Sequence, residues 1–154
     1  MHVRGKVSMA IAILRDSDIS VGLMEERTSG GWDGAAGVKQ VLVVDDHPVV
    51  PLALRVAFRI DGRFAVADSA ATGAEGLRKL GGQDAVLLDM HLPDMLACEV
   101  VSAFRERAGG VPLILHSAVD DTPSVDGLRK IVDAVVLKSR VDEVLLALTR
   151  LTGA

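Results

Sequence analysis

This chain of 154 residues has a single cysteine, no excess of positive charge and no long apolar run, and each shortage excludes a class of protein. Cys98 cannot form an internal disulfide and no Cys/His spacing indicates a zinc site, which favours a reducing cytoplasm. The formal net charge of -4 argues against direct nucleic-acid binding, because that affinity requires clustered lysine and arginine. Because no run is long enough to span a bilayer, we expect no membrane contact.

Residues 1–37 differ in composition from the remainder of the chain. Residues 29–37 read S-G-G-W-D-G-A-A-G, which is typical of a flexible linker. An apolar run at 7–14 is short and lacks a small-residue cleavage site, which disfavours a secretion signal. We therefore expect residues 1–37 to be a flexible or disordered N-terminal extension and residues 38–154 to form one domain.

From residue 38 onward, apolar runs alternate with segments of helical periodicity. Such alternation predicts an α/β fold with a doubly wound, five-stranded parallel sheet and helices on both faces. The runs are almost purely apolar, as expected for strands that are buried on both sides. The predicted strands are 41–44, 64–67, 85–88, 113–116 and 134–137.

Five helical segments are predicted between and after these strands, from apolar spacing and from capping patterns. The first has an apolar face of Val49, Leu52, Val56 and Ile60, and the second opens with the capping box Thr72 to Glu75. The third is marked by Leu96, Val100 and Phe104, and the fourth begins at Thr122-Pro123. The fifth is capped by Ser139 and has an apolar face of Val141, Val144, Leu145 and Leu148.

Polar side chains stand at the carboxyl ends of four predicted strands, where ligands bind in sheets of this kind. Asp45 and Asp46 follow the first strand, Asp89 the third, Ser117 the fourth and Lys138 the fifth. Three carboxylates at one edge repel one another unless a cation lies between them. Mg²⁺ prefers oxygen ligands and retains several waters, which predicts Asp46 and Asp89 as direct ligands and Asp45 as a ligand through water.

These residue types together also indicate phosphoryl chemistry. A carboxylate can attack phosphorus to give an aspartyl phosphate, which makes Asp89 the candidate nucleophile. The transferred phosphoryl oxygens then need positive charge and hydrogen-bond donors, which Mg²⁺, Lys138 and the Ser117 hydroxyl supply. Separately, each residue has a simpler interpretation as a helix cap, a turn residue or a solvated charge.

Four short motifs in order carry a resemblance to a known family. They are V-L-V-V-D-D-H-P at 41–48, D-M-H-L-P-D-M at 89–95, S-A at 117–118 and L-K-S at 137–139. Over 38–154 the chain resembles the receiver domain of bacterial two-component response regulators, most like receivers that precede a helix-turn-helix output domain. The resemblance implies a flavodoxin-like sheet of order 2-1-3-4-5. It also implies Asp89 as phospho-acceptor and the backbone carbonyl of His91 as a further metal ligand.

The resemblance implies a function in a phosphorelay. The chain would accept a phosphoryl group from a sensor histidine kinase or a phosphotransfer protein and lose it to water, without being an enzyme for other substrates. Since only a short helix follows Lys138, we expect a stand-alone receiver without an output domain. Its signal would be altered binding to a downstream protein partner or to a second copy, at the surface around Leu128 and Val144.

Departures from the family pattern keep other functions open. Val135 stands where the family commonly has an aromatic switch residue, and Ile131-Val132 replaces a usual Gly-Ala pair. Valine is small and stiff, which leaves open a degenerate receiver that acts as a phosphorylation-independent interaction module. An Asp-nucleophile phosphatase would need a second aspartate two residues after the first, where His47 and His91 stand. A flavodoxin is disfavoured because Asp45 and Asp46 would repel its phosphate.

Overall fold

The computed structural model describes residues 37–118 and 125–154. The predicted extension, apart from Gly37, and the predicted start of the fourth helix at Thr122-Pro123 therefore lie outside the described residues. In chain order the elements are β1 (Lys39–Val44), α1 (Val49–Asp61), β2 (Phe64–Ala70), α2 (Gly73–Lys79), β3 (Ala85–Asp89), α3 (Ala97–Ala108), β4 (Leu113–Ser117), β5 (Ala134–Leu137) and α4 (Val141–Thr152). Residues 125–132 form hydrogen-bonded turns between β4 and β5.

The five strands form one parallel sheet in the order β2-β1-β3-β4-β5, which confirms the predicted topology. The chain crosses from β1 to β2 on one side and then returns to place β3 on the other side of β1. A crevice therefore opens between the carboxyl ends of β1 and β3, the usual ligand position in such sheets. Asp45 follows β1 directly and Asp89 is the last residue of β3.

Two apolar clusters, one on each face of the sheet, form the core. Successive strand residues point to opposite faces, so a run such as Val41 to Val44 contributes to both clusters. On one face α1 and α4 cover the sheet, and on the other α2, α3 and the 125–132 turns cover it. The predicted arrangement of helices on both faces is confirmed. Within the ranges 37–118 and 125–154, no helix combines the length and apolarity needed to cross a membrane.

Strand β2 is longer than predicted, because the polar residues Asp68 and Ser69 interrupt the apolar pattern after Ala67. A register shift between Val41 and Leu42 places Ala67 in a β-bulge, and the strand then continues to Ala70. Since β2 is an edge strand, the polar residues Asp68 and Ser69 are tolerated there. The extension matters for the site, because the backbone N–H of Asp45 donates to the carbonyl of Ala70 at 2.9 Å.

The buried face of α1 only partly agrees with the predicted one, of which Val56 is buried. Leu54, Ala57 and Phe58 pack on the sheet, whereas Val49 is 60% exposed. The helix is apolar on more than one side, so periodicity alone did not choose between two stripes. Placing the large Phe58 ring inward buries more apolar surface than placing Val49 there.

Helix beginnings agree with the sequence only in part. Thr72 Oγ1 accepts from the Glu75 N–H at 3.1 Å, as predicted, but the Glu75 carboxylate accepts from Ala71 at 3.1 Å. Leu96 precedes α3 in extended conformation and is 67% exposed, so it is not part of that helix's apolar face. Ser139 does not cap α4, which begins after Arg140 with no side-chain cap. The predicted apolar face of α4 is buried.

Candidate functional site

Four predicted site residues converge at the carboxyl edge of the sheet. Asp45, Asp89 and Ser117 are buried, with 4%, 2% and 1% of their surfaces exposed. Lys138 follows β5, and its backbone N–H donates to the Ser117 carbonyl at 2.7 Å. Burial of carboxylates at this depth requires a partner of opposite charge.

The Lys138 ammonium group is that partner. Its Nζ lies 2.6 Å from Asp45 Oδ2 and 3.2 Å from Asp89 Oδ2. Both of these oxygens are buried and make no aligned hydrogen bond, so the contacts are ion pairs. One cation thus stands between two carboxylates from different strands. The interpretation of Lys138 as a solvated charge is wrong, since its side chain is only 14% exposed.

A tight turn after β1 brings the next two polar side chains to the same place. The His47 N–H donates to Asp45 Oδ1 at 2.8 Å, which closes an Asx-type turn. The His47 Nδ1 atom lies 3.1 Å from Asp45 Oδ1 and 3.0 Å from Asp46 Oδ1. Helix α1 begins without any side-chain cap, so Asp46 does not serve as one.

The donor set at this edge fits a hard divalent cation. Among the described residues, one ligand atom each from Asp45, Asp46, His47 and Asp89 lies within 4.8 Å of the others. Oxygen-rich sets with one or two carboxylates and room for water suit Mg²⁺. On the far side, the His91 N–H donates to Asp89 Oδ1 at 3.2 Å, which folds the loop after β3 back toward the site.

The environment of Asp89 disfavours its ionised form. Burial is the largest cause that raises the pKa of this carboxyl, and the neighbouring Asp45 charge adds to it. The His91 backbone N–H and Lys138 act in the opposite direction but do not cancel the effect. A cation bound beside Asp89 would restore its carboxylate, because a nearby positive charge favours ionisation.

The Ser117 hydroxyl has an acceptor that the sequence did not indicate. Its Oγ–H donates to the Met90 thioether sulfur at 3.9 Å. Met90 follows Asp89 directly, is 2% exposed and belongs to the apolar cluster on the α2/α3 face. Sulfur is a weak acceptor, so this contact is easily exchanged for a stronger one.

His116 is a second buried polar group close to the site. It is 3% exposed, and burial, with the Lys138 charge as a smaller cause, lowers its pKa to about 4. Its Nε2 atom makes no hydrogen bond with any residue that the structure describes. His116 is therefore a neutral ring in the core below Asp89, with which it pairs across β3 and β4.

Asp94 is a further residue that sequence reasoning missed. Its two carboxylate oxygens accept from the N–H groups of Gly73 and Ala74 at 2.8 and 3.0 Å. These bonds tie the loop that follows Asp89 to the N-terminus of α2, and they lower the pKa of Asp94. The sequence around Asp94 contains no pattern that indicates hydrogen bonds to N–H groups about twenty residues earlier in the chain.

A family model agrees with this geometry. The model of the response regulator receiver domain matches residues 41–149. The chain belongs to the response regulator receiver family. Members of this family are signalling modules of two-component systems, are generally not enzymes and bind Mg²⁺ at an acidic pocket. The five-stranded order and the acidic edge of this receiver agree with that assignment.

Two individual relatives illustrate the likeness. The probable transcriptional regulatory protein TcrX of Mycobacterium tuberculosis is 34% identical over 118 residues, which are 73% of this chain and 50% of that protein. The response regulator TrrA of Thermotoga maritima, solved with Mg²⁺–BeF, is 31% identical with a TM-score of 0.66, covering 74% of this chain and 99% of that one. This receiver spans about half the length of the curated relatives it matches.

Proposed function

We propose that this receiver accepts a phosphoryl group on Asp89 from a phosphohistidine of a sensor histidine kinase or phosphotransfer protein. An Asp89 oxygen forms a bond to phosphorus as the bond between phosphorus and the imidazole nitrogen breaks, and the donor histidine leaves neutral after taking up a proton. Water later attacks the aspartyl phosphate and releases inorganic phosphate. Mg²⁺, when bound, supplies positive charge to the phosphoryl oxygens.

The observation that carries this proposal is the position of Lys138 between Asp45 and Asp89. With Nζ 2.6 Å from Asp45 Oδ2 and 3.2 Å from Asp89 Oδ2, the ammonium group is close enough to Asp89 to contact the oxygens of a phosphoryl group bound there. Positive charge held in place before reaction needs little reorganisation as charge develops. Asp45, Asp46 and Asp89 would hold the metal, together with the His91 backbone carbonyl.

An Asp-nucleophile phosphatase fits this site less well. Its general acid would stand two residues after the nucleophile, and His47 and His91 occupy those positions. His91 is exposed at the rim of the site. Asp89 also has no second free carboxylic acid on its own loop, because both oxygens of Asp94 are engaged at the N-terminus of α2.

Signal transmission would begin at Ser117. A phosphoryl oxygen is a stronger acceptor than a thioether, so the hydroxyl would leave Met90 and turn to the modified Asp89. Met90 shares its apolar cluster with Val135 on β5 and with Leu128 in the 125–132 turns. Loss of the Ser117 contact would therefore change how Met90 packs beneath those turns. This route does not need an aromatic residue at position 135.

Two surfaces are candidates for protein partners. An open groove of about 690 Å³ beside the acids is lined by residues that include Asp46, Leu52 and Arg55, and it suits the phosphoryl donor. For a downstream protein or a second copy we expected the surface around Leu128 and Val144. Both side chains are buried, on opposite faces of the sheet. The accessible part of this region is instead formed by exposed neighbours of Val144 on α4, such as Leu146, which is 69% exposed.

Acetyl phosphate labelling tests the chemistry. Incubation of the full chain with acetyl phosphate, with and without Mg²⁺, is followed by intact-mass measurement of the wild type and of Asp89→Asn. A metal-dependent phosphate adduct in the wild type and none in the variant is expected. Asp126→Asn, an exposed aspartate away from the site, is the matched control and keeps the adduct. An unmodified wild type would favour the phosphorylation-independent interaction module.

A methyl NMR experiment tests the transmission step. Selective labelling of methionine methyl groups, with Met90 assigned through Met90→Leu, reports on the contact between Met90 and Ser117. Addition of beryllofluoride and Mg²⁺ is expected to shift the Met90 methyl signal in the wild type. The same addition should leave that signal in place in Ser117→Ala. An unchanged Met90 methyl chemical shift after addition of beryllofluoride to the wild type would contradict this route.

A further inference from the structure

We propose that the His47 imidazole is an additional protein ligand of the metal site, so that this receiver also takes a transition ion that prefers nitrogen, with Ni²⁺ as the representative. The inference rests on the acidic metal site of the proposed function. It extends that site by one residue and changes the class of cation that binds best there.

The spacing of the donor atoms supports ligation by His47. Its Nδ1 lies 3.0 Å from Asp46 Oδ1 and 3.1 Å from Asp45 Oδ1. In an octahedron with metal–ligand bonds of about 2.1 Å, adjacent ligand atoms lie about 3.0 Å apart. The two separations therefore match two edges of one coordination octahedron. A ligand atom of Asp89 lies within 4.8 Å of the other three, which allows it to complete the set.

Hydrogen bonds hold the backbone of His47 at the edge of the site before any ion binds. The His47 N–H donates to Asp45 Oδ1 at 2.8 Å, and the His47 carbonyl accepts from Val50 at the start of α1 at 3.0 Å. Pro48 follows and fixes its own φ angle, which stiffens the turn further. Ligation therefore needs little rearrangement. The side chain is 63% exposed, so an ion can reach the ring from solvent.

The same geometry also suits a hydrogen bond from Nδ1–H to the two carboxylates. The two cases differ in chemistry, because a metal ligand must offer a lone pair on Nδ1 rather than a proton. They also differ in which cations respond. Mg²⁺ prefers oxygen and keeps its waters, so it gains little from an imidazole. Ni²⁺ gains strongly from one, and mixed nitrogen and oxygen ligands favour it over Mg²⁺.

Calorimetric titration with Mg²⁺ and with Ni²⁺ separates these cases. For His47→Gln we expect Ni²⁺ affinity to fall by at least about tenfold, since loss of even an outer-shell partner costs that much. Mg²⁺ affinity should stay unchanged within the error of the titration. His2→Gln is the matched control, because it removes one imidazole from the chain but retains His47. Equal Ni²⁺ affinity in the wild type and His47→Gln would overturn the inference.

Pulsed electron paramagnetic resonance of the Mn²⁺-loaded protein detects a nitrogen ligand directly. Coupling of the manganese spin to an imidazole nitrogen is expected, and it should be lost in His47→Gln. Absence of nitrogen coupling in the wild type would refute ligation by His47, even where Mg²⁺-dependent labelling of Asp89 succeeds. Nitrogen coupling in a chain that acetyl phosphate does not label would uphold His47 as a ligand and remove the proposed function instead.

Discussion

Replacement of Lys138 by methionine measures how far the site depends on one cation. Methionine keeps most of the side-chain length and removes the charge, which leaves Asp45 and Asp89 buried without their ion pairs. Removal of one partner from a buried ion pair costs about 3–5 kcal/mol. Because the Lys138 side chain is 14% exposed, we expect the lower end of this range, about 3 kcal/mol. For a domain of this size that corresponds to a fall in Tm of roughly 12 °C.

Divalent cation should restore part of this loss. An ion that binds only the folded state stabilises it by about 2.7 kcal/mol when its concentration is one hundred times its Kd. The variant no longer has an ammonium group competing for the same carboxylates, so it should gain more from Mg²⁺ than the wild type does. The difference in stability between the two proteins is therefore expected to narrow as Mg²⁺ is added.

Urea unfolding at neutral pH, with EDTA or with saturating Mg²⁺, gives the four free energies required. Lys130→Met is the matched control, since Lys130 is exposed and surface substitutions usually change stability by less than about 0.5 kcal/mol. A loss below about 1 kcal/mol in EDTA would refute the claim that Lys138 compensates two buried charges. A difference that Mg²⁺ leaves unchanged would refute the claim that metal and ammonium act on the same carboxylates.

Three further predictions concern stability. Burial raises the pKa of Asp89, so the stability contributed by its protonated form is lost as pH rises through its folded-state pKa. In urea unfolding without divalent cations, the free energy of unfolding of Asp89→Asn should therefore be higher than that of the wild type at neutral pH and equal to it in acid. Hydrogen bonds from α2 lower the pKa of Asp94, so its contribution to stability is present at neutral pH and lost as pH falls through the folded-state pKa. Asp94→Asn should therefore be less stable than the wild type at neutral pH but equal to it in strong acid. Equal stability of the two proteins at pH 7 would contradict this. A Cβ atom added at Gly76 would lie 2.8 Å from Phe104 Cζ, so Gly76→Ala should lose about 1–3 kcal/mol in thermal or urea unfolding. Gly81→Ala, whose Cβ atom meets nothing within 4 Å, should unfold like the wild type.

The sequence predicted the sheet and the convergence of polar side chains at its edge well, because both depend on short-range patterns. Apolar runs on parallel strands are nearly continuous when both faces are buried, so the strands can be assigned from the sequence without tertiary information. Parallel strands also end at a common edge. Asp45, Asp89, Ser117 and Lys138 therefore had to meet once the strands were assigned correctly. The strand order itself came from the resemblance to receivers rather than from any pattern.

The missed features depend on contacts between distant parts of the chain. Which stripe of α1 is buried depends on the shape of the sheet beneath Phe58, and apolar spacing does not contain that information. The bulge at Ala67 depends on the register between β1 and β2. Asp94 meets the N-terminus of α2 only because α2 and α3 pack side by side on one face, with Gly76 allowing their close approach.

The site as a whole carries more negative than positive charge. The edge carries three carboxylates, those of Asp45, Asp46 and Asp89, and one ammonium group, so two negative charges are in excess when all are ionised. A divalent cation would balance this excess, whereas a monovalent cation would not. Phosphorylation of Asp89, as proposed above, would add further negative charge beside Lys138 and give Ser117 a better acceptor than Met90. One change at Asp89 would therefore alter the electrostatics of the pocket and the packing of the core together. This proposed link between modification and partner binding does not require an aromatic residue at position 135.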